Sequence, residues 1–233
     1  MKSFIWPTNI HDAKAIQTVL KDKVKIIPLK KSLRFIAGVD AAFTENKVIG
    51  IACLYKYPEL ILIEDTFAVT KILFPYIPGF LSFREGPAII EAILGLKMKP
   101  DVILFDGQGI AHPKRLGIAT HIGVLLDIPT VGSAKSRLVG EYKEPGYKKG
   151  KWSPLHFNNQ VIGAVLRTRD DIKPLFVSPG HKTDLQASLD IVLNCISKYR
   201  IPEPLRRADF LSRQIKQKLS GKSPLKKGDV KSA

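Results

Sequence analysis

Phe105 to Arg137 reads FDGQGIAHPKRLGIATHIGVLLDIPTVGSAKSR, and the turn inside it decides the fold. The apolar run Val102 to Phe105 predicts a buried strand that stops at Asp106, and Gly107 and Gly109 suit a tight turn with close ligand approach. Pro113 is expected to open a helix running to Leu126, with an N-terminus that favours an anion. Thr130 and Val131 predict a short further strand. Asp106, His112 and Lys135 thus gather around one strand-to-helix turn, which is an active-site layout. The plainer alternative is a βα turn that needs glycine, with Asp106 as a cap.

Working outward, Leu33 to Phe43 (LRFIAGVDAAF) reads as an interior strand with Asp40 in an otherwise apolar run. An unpaired buried carboxylate is costly, so Asp40 needs a hydrogen-bonding partner or a cation. Pro75 to Glu85 (PYIPGFLSFRE) leads into an apolar-periodic helix, EGPAIIEAILGL, in which Glu85, Ile89 and Ile93 share one face and turn Glu85 toward the core. Three carboxylates then point inward from separate elements, and a few such oxygens are what a hard divalent cation such as Mg2+ takes, with waters and phosphates completing its shell.

The remaining elements follow in order. A helix is predicted around Asn9 to Lys21, then strands near Leu33–Phe43, Lys47–Lys56 and Leu60–Thr70, antiparallel, with a hairpin turn at Glu45-Asn46. After the Glu85 helix and the Val102 strand come strands at Val161–Thr168 and Leu175–Val177, expected as parallel additions. Helices Thr183–Tyr199 and Pro204–Leu219 precede a basic tail, expected to be disordered. Residues 1–220 read as one α/β domain and 221–233 as the tail.

Composition narrows the partners. Lys and Arg total 37 against 21 Asp and Glu, a formal net charge of +16, which favours a polyanion such as nucleic acid. Cys53 and Cys195 sit in apolar runs and read as reduced core residues of a cytoplasmic protein. The start of the chain lacks the pattern of a signal peptide, and no apolar run is long enough to span a bilayer, so no membrane association is expected. Nothing in the sequence calls for an obligatory protein partner.

The order β-β-β-α-β-α-β, with one acid in the first strand, one on the following helix and one ending the fourth strand, resembles the ribonuclease H-like fold. The motifs GVDAAF, PYIPGFLSFRE, DGQGIAHPKRLGIATHIGV, VGSAKSRLVGEY, SPGHKTDLQASLDIVL and IPEPLRRAD together resemble the endonuclease V family, which acts on deaminated adenine (inosine) in nucleic acid. The resemblance spans Leu33 to Asp209. It implies that Asp40, Glu85, Asp106 and a fourth acid, Asp209, bind Mg2+, with Mn2+ as a substitute. It also implies that Lys135 contacts the reacting phosphate or orients the water, that His112 hydrogen-bonds phosphate or helps arrange the metal site, and that the cut falls at the second phosphodiester 3′ to the lesion, leaving 3′-hydroxyl and 5′-phosphate ends.

By the same resemblance Tyr76 is the tip of a wedge, with Pro78 beside it, that fills the gap left by a flipped base. Gly79, Leu81, Gly107, Gly109 and Leu138 would line the hypoxanthine pocket, where backbone amides read the base. His181 and Lys182, at a predicted helix entrance, would rest on a backbone phosphate. Asp209 has a plainer alternative, a surface acid paired with Arg206 or Arg213, and His121 reads as a core residue. The sequence departs from the family at Leu205, where threonine is common. The lysine-rich stretch GEYKEPGYKKGKWSPL interleaves Tyr142, Tyr147 and Trp152 with lysines, as a stacking surface or as simple loop anchors. DNA or RNA as substrate stays open, and so do two other classes: another ribonuclease H-like nuclease, and a nucleic-acid-binding protein without catalysis.

Overall fold

The computed structural model describes residues 4–29 and 32–220, so the basic segment 221–233 lies outside the described residues. Helix α1 (Ile10–Lys21) is followed by strands β1 (Phe35–Phe43), β2 (Lys47–Lys56) and β3 (Ile61–Lys71). Asn9 caps α1, its side chain accepting from the Asp12 amide at 2.9 Å. The three strands form the expected antiparallel meander. Then come α2 (Leu81–Leu94), β4 (Val102–Phe105), α3 (Ile118–Leu126), β5 (Thr130–Ala134), β6 (Trp152–Phe157), β7 (Gln160–Leu166), β8 (Leu175–Pro179), α4 (Leu185–Asn194) and α5 (Glu203–Leu219). All the strands belong to one eight-stranded mixed sheet ordered β3-β2-β1-β4-β5-β8-β7-β6, the ribonuclease H-like arrangement that the sequence predicts.

The structure differs from the sequence reading at five places. β4 and β5 do add parallel beside β1. β8 and β7, however, run antiparallel to their neighbours, because the 167–174 link carries no helix and is too short for a crossover, so the chain can only turn back. β6 is an edge strand inside the lysine-rich stretch; Ser153 and Pro154 mask it in the sequence, and an edge is where a strand tolerates proline. α2 begins at Leu81 rather than Glu85 and carries Pro87 inside it, its apolar face of Phe83, Ala88, Ile89, Ala92 and Ile93 outweighing the lost backbone bond. α3 begins at Ile118 rather than Pro113, since Arg115 takes a left-handed φ of 57° and Gly117 is extended. α4 is likewise shorter than predicted, starting after Asp184, whose side chain caps it.

Two cores sandwich the sheet. α2 and α3 cover one face over Ala37, Val39, Ile103 and Phe105, while α4 and α5 cover the other over Ile36, Leu104, Val131 and Val177. Cys53 and Cys195 are buried free thiols. α5 lies against β1 at Gly38, where an added Cβ would sit 2.3 Å from the Pro204 carbonyl carbon. Gly38→Ala should therefore lift α5 off β1 and destabilise the fold by about 1–3 kcal/mol. The check is a thermal melt, in which the midpoint should fall by roughly 2–4 °C for each kcal/mol lost.

Candidate active site

Val39 of β1 pairs with Phe105 of β4, and both side chains enter the α2/α3 core. Alternation then turns the next residues, Asp40 and Asp106, to the α5 face at the carboxyl ends of adjacent parallel strands. Glu85 arrives from α2 and Asp209 from α5. Burial pushes the Asp40 carboxyl up to about 6, with the nearby Asp106 and Asp209 charges adding to the rise and a hydrogen bond from Ser212 opposing it. Glu85 is pushed up to about 8, by burial first and then by Asp40 and Asp106. The four acids therefore share one electrostatic neighbourhood.

Lys135, one residue past β5, is a counter-charge within it. Its Nζ donates to Asp106 Oδ2 at 2.5 Å. Burial works against the ammonium, yet Asp106, with Asp209 and Asp40 behind it, holds Lys135 above the ordinary lysine range. Ser212 Oγ donates to Asp40 Oδ2 at 2.8 Å, and Arg213 pairs with Asp209 at 2.6 Å, one of the two alternatives weighed for that acid. The donor set fits a hard divalent cation: buried carboxylates whose neighbours add to the rise at Asp40 and Glu85, with Lys135 and Arg213 as cationic partners. The fit is one of chemistry and charge, because among the described residues no three Asp, Glu, His or Cys stand in metal-holding geometry.

The PYIP sequence forms a loop packed at its base. Tyr76 is 69% exposed at its tip, while Phe74 and Phe80 anchor it among Ala13, Phe83 and Ile16. Gly79 takes φ +82°, a conformation that favours glycine. Its carbonyl accepts from Gln17 Nε2 at 2.9 Å, and His112 hydrogen-bonds the same backbone unit. His112 Nδ1 accepts from the Lys114 amide at 3.1 Å, which leaves the ring proton on Nε2. Both nitrogens are thus engaged within the protein, and burial lowers the His112 pKa to about 4. Leu81 opens α2 and Leu138 is exposed beyond Lys135.

Other predicted residues are placed differently. At the N-terminus of α3 two amides are already engaged, Gly117 and Ala119 donating to the carbonyls of Gly109 and Gln108 at 3.0 and 3.1 Å. The Gly109 amide donates to Ser178 Oγ at 2.8 Å and its Cα packs on Pro179, so it closes the turn rather than reading a base. Gly107 lies against Ile118. His181 and Lys182 stand level with Thr130, toward the amino ends of β4 and β5, because β8 runs back along β5. There both pair with Asp127, Lys182 at 2.7 Å and His181 at 3.3 Å. A cavity of about 740 Å³ between Leu33, Pro100 and Pro129 also opens at that end, away from the acids. His121 is a core residue as read, bonded to Ser82 at 2.7 Å.

Ser212 and Gln17 were not legible as site residues. Ser212 had one faint signal, a small polar residue three positions after Asp209 on a helix; Gln17 had none. Gln17→Leu should leave the Gly79 carbonyl short of a donor and cost about 1–3 kcal/mol, with faster hydrogen exchange confined to residues 74–80 as the readout. Glu85→Gln should behave oppositely. Because the folded pKa of Glu85, about 8, lies above its ordinary 4.5, the stability tied to its proton is whole below pH 4.5 and lost as pH rises through 8. Without divalent cation, Glu85→Gln should melt higher than the parent at pH 9 and close to it at pH 4.5; an equal shift at both would contradict the charge crowding.

A sequence profile of the Endonuclease V family matches residues 18–210. The Endonuclease V of Dictyoglomus thermophilum is 45% identical over 213 residues, covering 91% of this chain and 93% of that protein. The crystal structure of Endonuclease V from Streptomyces avermitilis superposes with a TM-score of 0.89 at 36% identity, over 92% of this chain and 96% of the other. That of Ciona intestinalis Endonuclease V, in complex with DNA containing an inosine followed by a ribo-adenosine, gives 0.79 at 29% identity, over 90% and 98%. With its acids, its lysine and its exposed aromatic loop disposed on this fold, the chain belongs to the endonuclease V family.

Proposed function

We propose that this protein cleaves nucleic acid at inosine, hydrolysing the second phosphodiester 3′ to the lesion to leave 3′-hydroxyl and 5′-phosphate ends, and that residues 1–220 act as one endonuclease domain in DNA repair. The observation that carries the reading is the rise of the Asp40 and Glu85 pKa values, by burial first and then by neighbouring carboxylates, in a cluster with Asp106, Asp209 and Lys135. Crowded carboxylates of this kind are unfavourable without a cation, and functional sites are where such shifts concentrate. The DNA complex of the Ciona relative supports inosine-containing DNA as the substrate.

Asp40, Glu85, Asp106 and Asp209 would hold Mg2+, or Mn2+ in its place. When bound, it supplies a water acidic enough to attack at neutral pH and a charge for the departing 3′-oxygen. Lys135 stays protonated across the working range and presents its charge to the scissile phosphate from its seat on Asp106. Ser212 orients the Asp40 carboxylate by its hydrogen bond. Tyr76 and Pro78 occupy the gap in the base stack, and Gly79, Leu81, Gly107 and Leu138 border the space for the displaced hypoxanthine. His112 takes part by holding the Gly79 backbone, so that the wedge and the pocket edge move as one.

The decisive experiment uses end-labelled single strands of DNA and RNA, with inosine or adenine at one position, in Mg2+ or EDTA. Scission at the second 3′ phosphodiester of the inosine strand alone is expected, abolished by EDTA or Asp40→Ala; binding without cleavage in both Mg2+ and Mn2+ would refute the proposal. Ser212→Ala should lower activity about tenfold, as loss of a ligand's hydrogen-bond partner does. Activity should also climb from pH 6 to 9 as protons leave Asp40 (about 6) and Glu85 (about 8), and the limb should move to lower pH as Mg2+ rises, because cation and proton compete for the same oxygens.

A further inference from the structure

The lysine-rich stretch after Lys135 builds a second cavity that the cleavage chemistry leaves unused. It has a volume of about 240 Å³ and is lined by Ser136, Arg137, Tyr142, Glu144, Lys173 and Phe176, among others. Its floor is aromatic: Tyr142 meets the buried Phe176 edge-on, ring centroids 5.4 Å apart. The Arg137 guanidinium lies 5.8 Å from the Tyr142 ring centre and donates to the Gly140 carbonyl at 2.9 Å.

The lips of the cavity are bolted by one buried side chain. Arg167, 3% exposed, donates to Glu144 Oε1 at 2.8 Å, to the Pro145 carbonyl at 3.1 Å, to the Gly146 carbonyl at 3.2 Å and to the Ile172 carbonyl at 2.6 Å. This ties the 144–146 loop to the segment that carries Lys173. It also offsets the Glu144 charge, so the cavity keeps the positive sign of Arg137 and Lys173. Gln108, in the turn after Asp106, donates to the Ser136 carbonyl at 3.0 Å and so fixes the cavity wall to the acid site.

An aromatic floor under two cations is how single strands are held without sequence preference: a base stacks, and the flanking phosphates meet the charges. Arg137 lies two residues from Lys135, no more than about 7 Å of chain, so a strand seated on Lys135 reaches it within a nucleotide or two. The geometry points to this cavity as a subsite for an unpaired nucleotide flanking the scissile phosphate, its base on Tyr142 and its phosphates on Arg137 and Lys173. The inference rests on the cleavage reading proposed above and adds to it a sequence-independent grip on one flank of the cut.

The test uses Mg2+-loaded protein and single-stranded inosine DNA in three forms: both flanks long, the 5′ flank cut back, and the 3′ flank cut back. For the parent, cutting back one flank should raise KM about tenfold, the scale of one stacked base, with kcat held within twofold. Arg137→Ala, Lys173→Ala and Tyr142→Ala should lose that dependence on the flank, and Tyr142→Phe should keep it because the ring remains. Arg137 is exposed, so its variant reads cleanly even if Tyr142→Ala disturbs packing on Phe176. A KM that rises equally on all three substrates, or does not move, would overturn the subsite while leaving inosine cleavage intact. Failure of the parent to cut at inosine would instead remove the reading beneath it.

Discussion

Crowding of negative charge at the carboxyl ends of β1 and β4 is the constraint on which this architecture turns. Asp40 and Asp106 are forced together by strand pairing, since Val39 and Phe105 are in register and the next residue of each strand faces the same way. Glu85 and Asp209 are brought to the same place by helices on opposite faces of the sheet. Burial, with repulsion added to it, raises Asp40 and Glu85 well above ordinary carboxylates. A fold optimised for stability alone would not retain such a cluster, and its persistence here is a reason to read the site as one built for a cation.

The surrounding structure holds that cluster by backbone contact. β1 meets α5 at Gly38, β2 meets α2 at Gly50, and the turn after Asp106 meets β5 and β8 at Gly132 and Gly109, in each case at a distance where a Cβ would strike main-chain atoms. These contacts leave little freedom for the elements that carry the acids. The conformational entropy is lost on folding, so the oxygens need little further ordering when a ligand arrives. The loop at Tyr76 follows the same logic with hydrogen bonds: Gln17 and His112 hold the Gly79 backbone, while the Tyr76 tip is left in solvent.

Polar partners at this site were hard to foresee for a common reason. Ser212, Gln17 and Gln108 act through hydrogen bonds to residues far away in the chain, at separations of 172, 62 and 28 positions. No local pattern encodes such a contact. Leu205, the departure from the family motif, is 1% exposed in the α5 core and takes no part in the acid site. The helix expected at Pro113 failed for a related reason: proline allows a helix to begin, but the Gly117 and Ala119 amides find better acceptors in the Gln108 and Gly109 carbonyls.

By itself the sequence determined the three-strand meander, the four-residue strand β4 and the helix faces, because alternation and 3.6-residue periodicity are local and the burial they demand has one solution. It also marked Asp40, Glu85 and Asp106, since an acid in an apolar run is anomalous wherever it falls. Tertiary structure alone decided the direction of β7 and β8, which hangs on the reach of one short link, and hence the seat of His181 and Lys182 beside Asp127. It alone decided that the Gly117 and Ala119 amides at the start of α3 meet carbonyls, that Gly109 spends its amide on Ser178, and that Ser212 meets Asp40. Each depends on which distant atoms come within hydrogen-bonding range, and that range is set only when the whole sheet has closed.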